Sequence, residues 1–413
     1  MTALDALRAA AGDAVRPAMD GDAFGGVPAR FVAAPGSVDE AAAVLRAAAA
    51  HDLSTVVRGA GTKRDWAYPP ARLDLVLDTR RLAGVVEHAA GDLVAVVRAG
   101  TPLADLQTKL ATAGQQLALD APLAGATVGG TVAVNTSGPR RMAYGTVRDL
   151  LIGVTVVRPD GVVARAGGKV VKNVAGYDLG KLMTGSYGTL GLIAECAFRL
   201  HPRPAATAVL RRSVGGADEV GGLLGAVLAG QVVPSAFDID APAGGGLELA
   251  MLLEGVPAGV DERAATARTL LGGDATVSAA EPDWWSAYPW APGDVGLKLT
   301  AALSRVPGLL AAAVAARDRH DAPLSVRGSV GTGVLYAGLP GATDPAVAAA
   351  VVDDLRAGAH EAGGHAVVLT APPGIRDALD MWGPVPGLEL MRRVKARFDP
   401  DRRFAPGRFV GGI

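Results

Sequence analysis

Three groups of glycines stand where a chain could bare its backbone to a ligand: Gly59 and Gly61; Gly125, Gly129 and Gly130; Gly185, Gly188 and Gly191. The first follows an apolar strand-like run in "VVRGAGTKRDW" (56–66) and is joined by Thr62 and Lys63. Glycine accepts positive φ and, lacking a Cβ, lets a ligand approach the main chain. Consecutive amides turned inward make a nest of partial positive charge that suits a diphosphate. Thr62 would add a hydroxyl and Lys63 a cation. A plain surface turn would use the same glycines, and these residues alone leave both readings open. Two familiar phosphate motifs fail. A dinucleotide fingerprint needs a third glycine where Arg64 stands and an acidic residue on a second strand. A Walker loop needs Gly-Lys-Ser/Thr, whereas the order here is Thr62-Lys63.

The elements that must position these loops follow from the pattern. The first twenty residues read as an alanine-rich amphipathic helix. A strand–helix–strand unit then runs through "ARFVAA", a helix from about Val38 to His51, and "STVVRG", with Ser37 and Glu40 fitting a capping box. "RLDLVLDT" alternates like a strand, and "AGVVEH" and "DLVAVVRAG" flank a Gly91-Asp92 turn. Thr101-Pro102 opens a helix that Gly114 stops. The stretch "LAGATVGGTVAVNTSGPRRMAYG" (123–145) reads as neither helix nor strand for most of its length. "LIGVTVVRPDGVVARAG" is a hairpin about Pro159-Asp160-Gly161. Beyond Pro202–Pro204 alanine-rich helices alternate with short strands, which puts a domain boundary near residue 205.

At 413 residues the chain exceeds one ordinary core. With 40 basic and 41 acidic residues, nothing invites nucleic acid. One cysteine, Cys196, excludes a disulfide framework and an iron–sulfur cluster held by this chain alone. No signal-peptide core and no run of about 18 apolar residues occur, so a cytoplasmic protein is expected, peripheral to the inner face of the membrane only through partners. No metal-spaced histidine pair exists among His51, His88, His201, His320, His360 and His365. Gly185-Ser186 and Gly328-Ser329 lack the residue that a nucleophile elbow places between glycine and serine, which argues against a hydrolase.

Taken in order, "RGAGTK", "ATVGGTVAVNTSG", "YGTVRDLLIGVTVVRPDG" and "GSYGTLGLI" resemble the FAD-binding domain of the vanillyl-alcohol oxidase/PCMH superfamily, over roughly residues 28–204. The resemblance implies an α+β fold: an N-terminal helical segment (1–27), a PCMH-type FAD-binding domain of two α/β subdomains (28–204), a smaller α+β cap domain with an antiparallel sheet (205–390), and a C-terminal segment (391–413) returning to the FAD domain. It implies that Arg58, Gly59, Ala60, Gly61, Thr62 and Lys63 wrap the diphosphate. Thr127, Gly129 and Gly130 would line the ribityl and ring side, with Asn135, Ser137 and Gly138 continuing that wall. Tyr144 and Gly145 would close the loop nearest the ring, and Gly188, Thr189, Gly191 and Ile193 would meet the adenine end. The first glycine loop lacks histidine and Cys196 sits in an apolar run, so FAD is expected to be noncovalent.

"GGKVVKNVAGYDLGKLMTGSYGTLG" and the ending "WGPVPGLELMRRVKARFDPDRRFAPGRFVGGI" resemble the flavoprotein subunits of the glycolate oxidase complex, the smaller FAD-binding subunit above all. Ala405 stands where that family usually has asparagine, while Pro406-Gly407-Arg408 is kept. The resemblance implies hydride transfer from the α-carbon of a small 2-hydroxy acid to flavin N5, with electrons passing to a second FAD subunit and an iron–sulfur subunit. The alternatives are a stand-alone FAD-linked oxidoreductase of another alcohol or hydroxy acid, and a non-catalytic scaffold. The catalytic base stays unassigned. Lys298 and Arg327, charges within strand-like runs, are candidates beside Tyr144, because a buried charge must meet water or an anion. Arg140-Arg141 are either solvated or in touch with substrate or partner, and the aromatic run Trp284, Trp285, Tyr288 and Trp290 is either core or interface or a lid over the flavin.

Overall fold

Ser37 opens the helix Val38–Ala50 by accepting from Glu40 N at 3.1 Å. Glu40 does not complete the expected box, because its carboxylate accepts from Gly36 N at 2.8 Å instead. The computed structural model describes residues 1–120, 122–169, 177–272 and 274–413. The middle of the "KVVKNVAGYDLG" motif, residues 170–176, therefore lies outside the described residues. The chain divides into two compact units: Met1–Thr136, Thr146–Arg203 and Val385–Ile413 form the first, and Ser137–Gly145 with Pro204–Pro384 the second.

The first unit holds two larger sheets and a two-stranded pair, Gln115–Gln116 with His201–Pro202. One has the order Val15–Pro17, Phe31–Ala33, Leu75–Asp78, Thr55–Arg58. Its last three strands run parallel, joined through the helix Val38–Ala50. Leu75–Asp78 is buried throughout, as a parallel strand covered on both faces must be. The other sheet is antiparallel, in the order Val85–Ala89, Val94–Arg98, Leu192–Arg199, Leu151–Val157, Val163–Gly167. Cys196, on its central strand, is fully buried among Leu, Val and Phe side chains. The C-terminal segment adds to the first sheet: Thr55 N donates to Arg403 O at 2.7 Å, and Ala405 N to Thr55 O at 2.9 Å.

A buried ion pair ties that segment down. Lys395 Nζ donates to Asp399 Oδ2 (2.7 Å), Thr189 O (2.7 Å) and Phe404 O (2.8 Å). Asp399 also accepts from Arg403 N and Phe404 N. Every donor and acceptor is matched, which a buried charge requires.

One stretch departs from the sequence reading. Residues 123–145 contain the helix Val128–Val134 and a helical turn Arg141–Tyr144. Two adjacent glycines weaken helix propensity, but tertiary hydrogen bonds fix the start. Val128 N donates to Thr101 O (2.9 Å) and Gly129 N to Ala99 O (2.7 Å). Asn135 ends the helix in the left-handed region at φ 53°.

The second unit is an eight-stranded antiparallel sheet in the order Thr276–Ser278, Ala206–Val214, Leu247–Gly255, Ala236–Ala241, Ser325–Ser329, Val334–Leu339, Val295–Thr300, Ala366–Thr370. Alternation along Val295–Thr300 separates two faces. Val295, Leu297 and Leu299 are fully buried, while Lys298 stands on the opposite, polar face. Among the described residues no helix is long and apolar enough to cross a membrane, and no cluster of three or more His, Cys, Asp or Glu could hold a metal.

Candidate functional site

The strand Thr55–Arg58 delivers the first glycine loop to the mouth of a cavity of about 100 Å³ in the first unit. Its walls include residues 56–64, Thr127, Gly129 and Gly130 of the short helix, and Gly188, Gly191 and Ile193. Three loops scattered over 130 residues thus meet around one space. Four of the glycines have a definite structural reason. Gly61 and Gly188 take φ 79° and 72°. A Cβ on Gly59 would lie 2.2 Å from Thr127 Oγ1, and one on Gly129 would lie 2.6 Å from Ala99 Cβ. Thr127 Oγ1 in turn accepts from Gly130 N at 3.4 Å, capping the helix. Gly185 N and Tyr187 N donate to Val132 O (3.0 Å) and Ala133 O (2.8 Å), sewing the third loop to the helix.

The cavity's charged lining is wholly cationic: Arg58, Lys63, Arg64 and Arg408. The Arg58 side chain is committed to structure, donating to Asp22 Oδ1 and Asp78 Oδ2, both at 2.9 Å. Hydrogen bonds from Arg16, and then from Met19 N and Arg58, hold the Asp22 carboxyl well below the usual carboxylate range despite burial. Only the backbone and aliphatic stem of Arg58 therefore serve the cavity. Burial pushes the Lys63 ammonium down to about 8. Its one hydrogen bond among the described residues is to Thr62 Oγ1, at 3.3 Å.

Arg408, Phe24, Thr79, Ala99 and Tyr187 also line the cavity and were not among the residues expected from sequence. Arg408 donates to Arg64 O (3.1 Å) and Trp66 O (2.9 Å), with its guanidinium 5.5 Å over the Phe24 ring. Burial lowers it to about 10, against the opposing pull of Tyr187 and Asp65. The signal was available in Pro406-Gly407-Arg408. What the sequence lacks is any hint that a residue 344 positions away buttresses the first loop.

Asn135, Ser137, Gly138, Thr189, Tyr144 and Gly145 are not among the residues lining this cavity. Asn135 is the helix end, and its buried Oδ1 has no hydrogen-bond partner among the described residues. Thr189 faces inward, its hydroxyl donating to Ser186 O at 2.7 Å. Ser137–Gly145 group with the second unit rather than with residues 28–204. There Tyr144 donates to Glu254 Oε2 at 3.0 Å, and Arg140 Nε to Glu254 Oε1 at 2.9 Å. Burial and the Glu254 charge push the Tyr144 phenol up to about 12, which keeps it a hydrogen-bond donor near neutrality.

The polar face of the second unit's sheet carries a row across four strands, Asp240, Arg327, Tyr336 and Lys298, each in register with the next. Arg327 Nε is paired with Asp240 Oδ1 at 2.7 Å. That pair compensates the charge of Arg327. Lys298 has no carboxylate partner among the described residues, and burial pushes its ammonium down, with the nearby Arg141 charge acting the same way. Arg141 reaches Tyr336 OH at 3.4 Å and otherwise donates to the carbonyls of Ser137 and Gly138. Tyr288 and Trp290 stack at 4.3 Å beside Tyr336. Gly296 makes room for that stack, since a Cβ there would lie 2.4 Å from the Trp290 ring.

The family model "FAD binding domain" matches residues 29–167. FAD fits what the first unit presents: bare amides beside glycines that a Cβ would block, a carboxylate-free cationic lining, and orphaned buried oxygens on Asn135, Thr136 and Ser186 in the flanking loops. Over 140 residues the chain is 45% identical to the glycolate oxidase subunit GlcE of Escherichia coli, covering 33% of this chain and 40% of that protein. It is 32% identical over 213 residues to the glycolate oxidase subunit GlcD of Bacillus subtilis, covering 51% and 45%. The chain thus spans less than half the length of these two relatives. An uncharacterized FAD-linked oxidoreductase of Mycobacterium tuberculosis is 27% identical over 92% of this chain and 91% of its own. Among solved structures, p-cresol methylhydroxylase with substrate bound superposes with a TM-score of 0.76 at 17% identity, covering 98% of this chain and 96% of that one. That likeness shows the PCMH-type fold alone. The matches together support the FAD-linked oxidoreductase family, with FAD as cofactor.

Proposed function

We propose that this chain is the FAD-binding subunit of a glycolate oxidase-type complex, in which a small 2-hydroxy acid is oxidised to the keto-acid. The diphosphate of FAD lies on the amides of residues 59–63, opposite the Gly188–Ile193 loop, and the flavin is held without a covalent bond. Bound there, FAD supplies a two-electron acceptor for hydride from the α-carbon. The observation that carries the substrate class is the uncompensated pair Lys298 and Arg141 beside Tyr336, on a face where Arg327 already has its carboxylate. Two cations without a counter-ion are suited to a substrate carboxylate. With one cysteine the chain cannot ligate an iron–sulfur cluster alone, so the reduced flavin passes its electrons to oxygen, a quinone or a partner protein, of which a second FAD subunit with an iron–sulfur subunit is the one proposed.

Anaerobic titration of the yellow protein tests this. A panel of 2-hydroxy acids, with and without partner subunits, is expected to bleach the flavin, whereas matched alcohols lacking the carboxylate do not. Lys298→Met is expected to raise the hydroxy-acid KM by ten- to a hundredfold, a loss of about 1.5–3 kcal/mol for a charge-assisted hydrogen bond. Bleaching by alcohols alone would favour a stand-alone oxidoreductase of another substrate. No bleaching in any state would favour a scaffold role.

A further inference from the structure

Lys63 occupies a position that is awkward for a cation before any ligand arrives. It lines the cavity with Arg58, Arg64 and Arg408 around it and no carboxylate in the wall. Among the described residues the cavity lining holds no carboxylate to offset its charge, and Asp22, which lines the adjoining pocket beside Gly59–Gly61, is engaged by Arg16 and Arg58. Arg58 is engaged by Asp22 and Asp78. Arg64 stands 3.8 Å from Asp65, which does not line the cavity. Arg408 is held by the carbonyls of Arg64 and Trp66. The short helix contributes only Thr127, Gly129, Gly130, Ala133 and Val134 to the lining, and Tyr187 is the only titratable group from the third loop. Thr62 Oγ1 can accept one hydrogen bond but carries no charge.

We propose that Lys63 of the FAD-free protein is largely a neutral amine at mildly alkaline pH and becomes an ammonium only against the diphosphate, so that loading of FAD takes up a proton. This rests on the diphosphate lying against residues 59–63. The sign follows from linkage. Burial lowers the lysine to about 8 in the free protein, and a dianionic diphosphate raises it again. Below about 8 the ammonium is already present and binding is proton-neutral. Above it, binding draws in up to one proton, and affinity weakens toward tenfold per pH unit until the bound-state value is passed.

Calorimetric titration of the flavin-stripped full chain with FAD, in pairs of buffers differing in ionisation enthalpy, reads this uptake directly. Close to one proton per FAD is expected at about pH 9 and close to none at about pH 6.5. Lys63→Arg, charged throughout, should bind FAD with no uptake at either pH and a flat affinity profile. Lys63→Met should bind equally weakly at both. FAD binding with no proton uptake at pH 9, or uptake that persists in Lys63→Arg, overturns the inference while leaving the cofactor site intact. Failure of the stripped chain to bind FAD at any pH would instead count against the cradle itself.

Discussion

Lys395→Met is expected to destabilise the first unit by about 3–5 kcal/mol, the cost of leaving one member of a buried ion pair uncompensated. Lys395 is 3% exposed and Asp399 is fully buried. The lysine joins the helix Leu388–Phe398 to the Thr189 carbonyl of the third glycine loop and to the Phe404 carbonyl of the terminal segment. A fall in Tm on the order of 10 °C follows, and weaker FAD retention should accompany it because Thr189 lies between Gly188 and Gly191. Adding Asp399→Leu should recover only part of the loss. Apolar replacement of both partners removes the orphaned charge, but Arg403 N and Phe404 N then lose their acceptor. A Tm within 2 °C of the parent would show that the clamp is not what holds the C-terminal segment.

Gly59→Ala is expected to weaken FAD binding by roughly ten- to a hundredfold. The added Cβ would meet Thr127 Oγ1 at 2.2 Å, and relieving such overpacking costs about 1–3 kcal/mol. The neighbouring Gly61→Ala provides a contrast. Its nearest atom would be Arg58 Cδ at 3.9 Å, so only its φ of 79° is at issue, worth about 1–2 kcal/mol. If crowding against Thr127 is the cause, Gly59→Ala combined with Thr127→Ala should bind FAD better than Gly59→Ala alone, while Thr127→Ala should not help Gly61→Ala. Equal losses for the two glycine variants, with no rescue, would place the role of Gly59 elsewhere.

How much of this was readable in the chain differs between residues. Gly59, Gly61, Gly129 and Gly188 could be singled out because glycine, lacking a Cβ, takes positive φ and close backbone contact at least cost, and the structure gathers them around one cavity. The helix Val128–Val134 was missed because its stability comes from the Thr101 and Ala99 carbonyls, which local propensity does not see. The stretch Arg58–Lys63 lines the cavity as the motif suggests, while the Arg58 guanidinium is held by Asp22 and Asp78, partners 36 and 20 residues away that local sequence does not reveal. Lys298 and Arg327 looked equivalent as charges within strands. The register that sets Asp240 opposite Arg327, and Tyr336 opposite Lys298, separates them. Arg408 was visible as part of a motif but not as a wall of the cavity, since only the folded chain brings it to Arg64 and Trp66.

A crystal structure of the FAD-loaded protein is the most direct measurement of all. The account predicts both phosphorus atoms within hydrogen-bond reach of the amides of residues 59–63, the Gly188–Ile193 loop against the same cofactor, and no bond between flavin and protein. A diphosphate bound elsewhere, with residues 59–63 turned away from it, would contradict the account.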